Sequence, residues 1–246
     1  MIRKKASLSI LFVGNSFSYY HSLPKLIARF AQATDCDNLV VDGIFRGGAT
    51  LKMLWHDERT LKKLRSRSWD YVVLQERGRL GGRIKDGIVH VGSPQEFFTY
   101  GTRFDKAIKR INAKTILYCP PSFLGIGLAE NAVKLNSEYA RLARKLRVPI
   151  IPSGAAFMLA AKRRPRLNLY EQDGHHPNPL GVYLVASLFY RKLFQKKISE
   201  LPLESYFSRS ERLPKNPKVI KLSRDDAQFL WAVANRIMQP NLVVKK

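Results

Sequence analysis

Short apolar runs rich in β-branched residues alternate with longer segments whose apolar residues recur at helical spacing, as far as about residue 195. Nearly continuous apolar runs are typical of strands buried on both faces. The predicted strands are 9–13, 39–45, 71–74, 115–119 and 148–152. The first predicted helix begins near Ser22. The other predicted helices cover 51–64, 94–111, 129–146, 178–194 and 223–238. Strands joined by helices form right-handed βαβ units, so a three-layer α/β/α sandwich around a parallel five-stranded sheet is expected.

The chain has 246 residues, 45% of them hydrophobic, which suits one large α/β domain and excludes a disordered or low-complexity protein. We expect a core over about 8–195 and a helical extension over about 196–246. Within that extension, residues 200–222 are rich in proline and charge and are predicted to form a surface connection to the last helix.

Charge is the most unusual feature of the composition. Lysine and arginine number 43 against 19 acidic residues, a net charge of +24. Such a balance concerns partners rather than fold, and nucleic acid, an anionic membrane surface and an acidic substrate all stay open. No apolar stretch is long enough to span a bilayer, and the apolar run 10–13 after the basic start is short for a signal peptide. A soluble, intracellular protein is expected.

The first candidate for chemistry is Gly14-Asn15-Ser16, directly after the first predicted strand. A serine on this tight turn has its backbone N–H near a helix N-terminus, where it could hold an oxyanion. The alternative is a plain turn with a capping serine. The sequence is neither the Gly-x-Ser-x-Gly elbow nor a P-loop, which would require a lysine.

The second candidate is the turn from Asp173 to His176, just before a predicted helix. An aspartate and a histidine three residues apart can face each other, which fixes the imidazole tautomer and leaves the second nitrogen free as a base. Two alternatives stay open. The residues could only cap backbone groups, or Asp173, His175 and His176 could bind a metal, although no further ligand cluster supports a metal.

Two weaker signals lie at the ends of the second and third strands. Gly48 in Arg46-Gly47-Gly48 offers an unobstructed N–H, and Gln75 offers a side-chain NH₂. Each could be only a turn or a solvated side chain. However, ligands of open α/β sheets bind at the carboxyl ends of strands, where Ser16, Gly48 and Gln75 are all predicted to lie.

Taken in order, these blocks make residues 8–195 resemble the SGNH (GDSL-like) hydrolases. The resemblance implies that Ser16 is the nucleophile, that Asp173 and His176 complete a catalytic triad, and that the N–H groups of Ser16 and Gly48 form an oxyanion hole. The third block departs from the family pattern. Leu-Gln-Glu stands where the family has an asparagine block, as in one branch of the family, and we expect Gln75 to be the third donor. His175 is expected to be peripheral.

The expected protein is therefore a single-domain, flavodoxin-like ester hydrolase that needs no metal or organic cofactor. Its substrate would be a small-molecule or carbohydrate ester, and acyl transfer would use the same groups. The rival interpretation is a basic protein that binds nucleic acid or another polyanion on an inactive hydrolase scaffold. The charge favours this rival, but the sequence contains no known nucleic-acid motif.

The remaining expectations concern single residues. An electropositive rim favouring anionic esters is predicted from Arg46, Arg77 and Arg79, with contributions from Arg83, Lys85, Arg163, Arg164 and Arg166. Cys36 and Cys119 are too few for a disulfide scaffold and should lie at opposite edges of the sheet as free thiols. Cys119 as a nucleophile would lack a base. The surface or helix ends should hold His21, His56 and His90, and the core should hold Trp55, Trp69 and Trp231.

Overall fold

The computed structural model describes residues 7–34, 38–85, 88–124 and 128–239, so Cys36 lies outside the described residues. In chain order the strands are β1 (Ser7–Gly14), β2 (Asn38–Phe45), β3 (Tyr71–Leu74), β4 (Ile84–Lys85), β5 (Ile88–Val89), β6 (Lys114–Cys119), β7 (Ile150–Pro152), β8 (Glu204–Phe207) and β9 (Lys218–Lys221). The helices are α1 (Ser16–Tyr19), α2 (Leu23–Ala33), α3 (Leu51–Trp55), α4 (Glu58–Leu64), α5 (Gln95–Arg110), α6 (Leu128–Leu146), α7 (Ser153–Arg163), α8 (Pro179–Phe194) and α9 (Arg224–Ile237).

The main sheet has five parallel strands in the order β2-β1-β3-β6-β7. The predicted parallel sheet and its flavodoxin-like order are confirmed. Strand β1 is flanked by β2 and β3, so the carboxyl ends of all three meet at one edge. This edge carries Gln75 and two turns, which we call the serine turn (residues 14–16) and the glycine turn (residues 46–50).

Both faces of the sheet are covered, which explains the continuous apolar strands. Along β1, Ile10 and Phe12 pack into the core beside α2 and α8, whereas Leu11 and Val13 pack into the core beside α3, α5 and α6. Successive side chains of a strand point to opposite faces, so burial on both sides requires every position to be apolar. The expected three-layer α/β/α sandwich is therefore confirmed.

The local structure differs from the expectations in three places. The expected helix 51–64 is broken into α3 and α4, because Asp57 accepts from the Arg59 N–H and caps a new helix. Helix α7 was not predicted, because the small side chains along it blur its apolar pattern. The segment 200–222 contains the antiparallel hairpin β8–β9 as well as surface loop.

The last helix, α9, completes the cover of α8. Ser223 caps it by accepting from the Asp226 N–H, as its sequence predicts. The Trp231 indole donates to the hydroxyl of Tyr183, which lies on α8 and is buried. Trp69 and Trp231 are buried as predicted, and Trp55 is partly buried. Within the described ranges, no helix is both long enough and apolar enough to cross a membrane.

Candidate active site

Ser16 is the first residue of α1, directly after β1. The Asn15 side chain caps this helix by accepting from the Phe17 N–H over 3.2 Å. Its amide nitrogen donates to the carbonyl of Ala49 over 2.9 Å. Asn15 therefore fixes the serine turn and ties it to the turn that follows β2, which is a positioning role that the sequence does not reveal.

Three side chains form a continuous hydrogen-bonded row. Ser16 Oγ lies 2.8 Å from His176 Nε2, and His176 Nδ1 lies 2.6 Å from Asp173 Oδ2. Because a carboxylate can only accept, Nδ1 carries the proton and Nε2 is left to accept from the serine hydroxyl. The structure thus brings together the serine, histidine and aspartate that the sequence singled out.

Asp173 is held in its ionised form. Burial alone would raise its pKa, but hydrogen bonds from the His176 side chain and from the His175 and His176 N–H groups lower the pKa of Asp173 to about 2. Both N–H groups donate to Oδ1, over 2.8 and 2.9 Å. The carboxylate therefore stays charged at neutral pH and can stabilise an imidazolium.

The His176 ring is fixed by aromatic neighbours. Tyr20 stacks on it with ring centroids 4.2 Å apart and planes 21° apart, and Phe17 lies at a centroid distance of 5.5 Å. Such contacts restrict the rotamer of the imidazole. Sequence reasoning missed Tyr20, since nothing in its position separates it from an ordinary exposed aromatic.

The glycine turn presents a backbone N–H at the same edge. Gly48 has φ +63°, a left-handed conformation that favours glycine. The Arg77 guanidinium donates to the Gly48 carbonyl, from Nε over 2.8 Å and from a second nitrogen, and so holds this conformation. Among the residues that the structure describes, none accepts a hydrogen bond from the N–H of Ser16 or Gly48. Both groups can therefore donate to a developing negative charge.

Gln75 does not fit its predicted role as an oxyanion donor. Its Oε1 accepts from the Asn15 N–H over 2.9 Å and from the Ser18 hydroxyl over 3.0 Å, and its Nε2 donates to the Glu76 carbonyl over 2.5 Å. The side chain is fully buried. Because the Asn15 N–H can only donate, the Gln75 amide must present its oxygen to Asn15. The amide NH₂ of Gln75 therefore faces away from the serine turn. Gln75 is a brace beneath the serine turn.

Glu76 points away from Gln75, as the alternation along a strand requires. Its carboxylate accepts from the Leu51 N–H over 2.8 Å and from the Arg77 N–H over 2.6 Å. Burial raises the pKa of Glu76 to about 7. It holds the start of α3, and thereby the end of the glycine turn.

His175 packs beside the row without joining it. Its ring stacks on Phe123 at a centroid distance of 3.8 Å and meets the edge of Phe17 at 4.8 Å. Burial, with a smaller contribution from the neighbouring His176, lowers the pKa of His175 to about 3, so the ring is neutral. In the ranges described, no three His, Cys, Asp or Glu side chains are grouped so that they could hold a metal ion.

The predicted arginine rim is only partly assembled. Arg46 is exposed, and neither it nor Arg77 nor Arg79 forms an ion pair with any carboxylate of the described residues. The buried Nε of Arg79 has no hydrogen-bond partner among the described residues. The charge of Arg79 contributes to lowering the pKa of His175. Arg164 does not join the rim as predicted, because it pairs with two aspartates at the start of α9.

Arg166 lines a cavity of about 210 Å³ together with Pro165 and Phe157, and none of the three triad side chains lines that cavity. Of the more peripheral rim residues, Arg83 and Lys85 are exposed beside β4, and Arg163 is exposed at the end of α7.

His21 was predicted to lie at the surface or at a helix end; it lies between the end of α1 and the start of α2 and is fully buried. It and Ser22 adopt left-handed backbone angles, with φ of 51° and 53°, directly after α1. Its Nε2 lies 2.9 Å from Glu171 Oε1. Non-glycine residues in this conformation are strained and are typical of functional sites, but a single sequence cannot reveal them. His56 and His90 are exposed, as predicted.

Cys119 is buried at the end of β6, and burial raises the pKa of its thiol far above the ordinary value. A thiol that stays protonated is a poor nucleophile. The structure therefore gives no support to Cys119 as an alternative to Ser16.

Comparison with known proteins finds no matching family model and no matching curated protein. Solved structures do match. A protein from Slackia heliotrinireducens assigned to the SGNH hydrolases aligns with a TM-score of 0.60 at 21% identity, over 76% of this chain and 98% of its own. The acetyl xylan esterase AlAXEase aligns with a TM-score of 0.62 at 16% identity, over 76% of this chain and 100% of its own.

A catalytic mutant of Axe2, an acetylxylan esterase from Geobacillus stearothermophilus, aligns with a TM-score of 0.60 at 17% identity, over 76% of this chain and 95% of its own. These structures share the layers and strand arrangement described above across nearly their whole length. At such identities the likeness shows the fold alone: the chain has the fold that these SGNH hydrolase and acetyl xylan esterase structures share.

Proposed function

We propose that the protein is a serine ester hydrolase that acts through Ser16, His176 and Asp173. The observation that carries this proposal is the unbroken row from Ser16 Oγ through the His176 ring to the Asp173 carboxylate, with contacts of 2.8 and 2.6 Å. A nucleophile bonded to a base that is itself oriented by a third group is the arrangement of the serine hydrolase triad.

In the proposed reaction, His176 Nε2 takes the proton of the Ser16 hydroxyl as Oγ bonds to the acyl carbonyl carbon. The N–H groups of Ser16 and Gly48 donate to the oxyanion, and Asp173 stabilises the imidazolium. His176 then protonates the leaving alkoxide as the ester C–O bond breaks. Water, deprotonated by His176, attacks the acyl-enzyme, and Ser16 leaves with the proton. An alcohol in place of water would give acyl transfer.

The substrate class follows from two supports of different strength. Acetyl xylan esterases among the similar structures favour a short acyl group on a carbohydrate. The guanidinium of Arg79, whose Nε has no hydrogen-bond partner among the described residues, and the exposed Arg46 favour an ester that carries a negative charge. We therefore propose a small-molecule or carbohydrate ester, with anionic esters preferred.

The test is hydrolysis of p-nitrophenyl acetate by the wild type, Ser16→Ala, His176→Ala and the double variant. Each single variant should lose nearly all triad-dependent rate, and the double variant should lose little more, because triad members act as a unit. Ser66→Ala and His90→Ala, which alter exposed residues elsewhere, are the matched controls and should hydrolyse the ester like the wild type.

Near-wild-type turnover by Ser16→Ala would refute the mechanism. The rival function gives a different result: no ester cleavage by the wild type, together with nucleic-acid binding that weakens steeply with salt. That outcome would assign the net charge of +24 to polyanion binding.

A further inference from the structure

A loop from the C-terminal hairpin crosses the edge of the sheet that carries the triad. Residues 208–211 follow β8, and we call this segment the strap. It contacts three separate parts of the site, which lie 38 to 187 residues away in sequence: the segment after α1, the loop before His176, and the glycine turn. Nothing in the sequence of the strap indicates these contacts.

The first contact holds the segment behind the nucleophile. The His21 N–H donates to the Ser208 carbonyl over 2.6 Å, and the Ser208 N–H donates to His21 Nδ1 over 3.3 Å. With Nδ1 accepting, Nε2 carries the proton and donates to Glu171. Burial is the main cause that lowers the pKa of His21, which agrees with a neutral ring.

The second contact holds the loop that carries the proposed base. Arg209 donates to Glu171 Oε2 over 2.5 Å, while His21 occupies Oε1. The Glu171 N–H in turn donates to the His176 carbonyl over 2.8 Å. Glu171 thus connects the strap to the turn of residues 173–176, by side-chain bonds to the strap and a backbone bond to His176.

The third contact reaches the glycine turn. Glu211 Oε1 accepts from the Gly47 N–H over 2.6 Å. The next residue is Gly48, whose carbonyl is held from the other side by Arg77. Glu211 and Arg77 therefore hold the backbone groups before and after the Gly48 N–H, namely the Gly47 N–H and the Gly48 carbonyl. These two bonds fix the direction in which the Gly48 N–H points.

We propose that the strap is a working part of the active site and that Glu211 is the positioning residue for the Gly48 N–H. This inference rests on the proposed function, in which Gly48 donates to the oxyanion. A backbone donor contributes fully only when it is preorganised toward the transition state, and a glycine turn without a second support would lose that orientation. Glu211 touches no reacting atom and acts through Gly47.

The test compares Glu211→Ala with Glu211→Gln on p-nitrophenyl acetate. Glu211→Ala should lower kcat by about ten- to a hundredfold with KM changed less than about threefold, since the oxyanion forms only in the transition state. Glu211→Gln keeps an oxygen that can accept from Gly47 and removes a negative charge near the oxyanion. It should restore kcat to the wild-type value or above.

Glu200→Ala is the control, because it removes an exposed carboxylate of the same C-terminal region that pairs with Arg224. It should leave kcat unchanged. Glu211 is exposed, so the thermal midpoint of Glu211→Ala should stay within a few degrees of the wild type, which separates lost positioning from lost folding.

The outcomes separate this inference from the proposed function. An active wild type with Glu211→Ala within threefold of its kcat would overturn the strap inference alone. Equal losses in Glu211→Ala and Glu211→Gln would also overturn it, because the retained acceptor would then be irrelevant. A wild type that neither cleaves the ester nor reacts at Ser16 would overturn the proposed function and the inference with it.

Discussion

Replacing Gln75 by alanine separates a brace from an oxyanion donor. The fully buried amide accepts from the Asn15 N–H and the Ser18 hydroxyl and donates to the Glu76 carbonyl. Alanine would leave the first two groups without their acceptor. The Glu76 carbonyl would keep the Tyr139 hydroxyl, 3.4 Å away. The cost should therefore appear in the stability of the turn that carries Ser16.

The magnitude follows from the two orphaned groups. Each buried polar group left unsatisfied costs about 1–3 kcal/mol, so the two groups alone should lower the free energy of unfolding of Gln75→Ala by about 2–6 kcal/mol, and the cavity adds to this. For a chain of this size, a loss of about 2–6 kcal/mol is a fall of roughly 4–24 °C in the thermal midpoint. Differential scanning calorimetry and urea unfolding would measure it, with the exposed Gln228→Ala on α9 as the control.

A pure oxyanion donor would behave differently. Its loss would lower kcat by about 10²–10³ and leave the thermal midpoint in place. Gln75→Ala with a midpoint within 2 °C of the wild type, as estimated from the same scaling, would therefore refute the brace.

Three further predictions rest on other parts of the site. His175→Phe should lose less stability in acid than the wild type. The unfolded His175 binds a proton below about pH 6.5, whereas the pKa of the folded His175 is about 3. Between these two values the free energy of unfolding of the wild type should therefore fall relative to that of the variant, by up to about 1.4 kcal/mol per pH unit. Unfolding free energies of both proteins across that range would measure this, and parallel curves would contradict it. Cys119 should resist thiol reagents until the protein unfolds, as a disulfide-exchange assay with and without urea would detect. Arg79→Gln should reduce the preference for anionic over neutral acyl esters, and salt should reduce it in the wild type; a preference unchanged by both would exclude steering by this arginine.

The fold could be predicted because its signals are local. Apolar runs buried on both faces and capped helices, such as the one started by Ser223, follow from residue type and spacing. The break at Asp57 was missed because a capping aspartate in the middle of a helical pattern does not reveal whether the chain will bend there.

The sequence predicted the three hydrogen-bonded side chains of the site, Ser16, His176 and Asp173. It did not predict the contacts that hold them in place. Asp173 and His176 share one turn, and Ser16 follows a strand end, so topology alone brings them to one edge. The direction of the Gln75 amide depends on which neighbours it meets, and these lie about 60 residues away in sequence. The strap contacts span 38 to 187 residues and join polar residues without any pattern, so only the folded chain reveals them.

The most direct test of the central claim is covalent labelling with a fluorophosphonate, followed by mass spectrometry of the digested protein. Ser16 sits beside a histidine positioned to take its proton, so the account predicts one adduct, on the peptide that contains Ser16. Ser16→Ala should take up no label, and His176→Ala should label far more slowly. An enzyme that hydrolyses esters while Ser16 stays unlabelled, or that carries the adduct on another residue, would contradict the account.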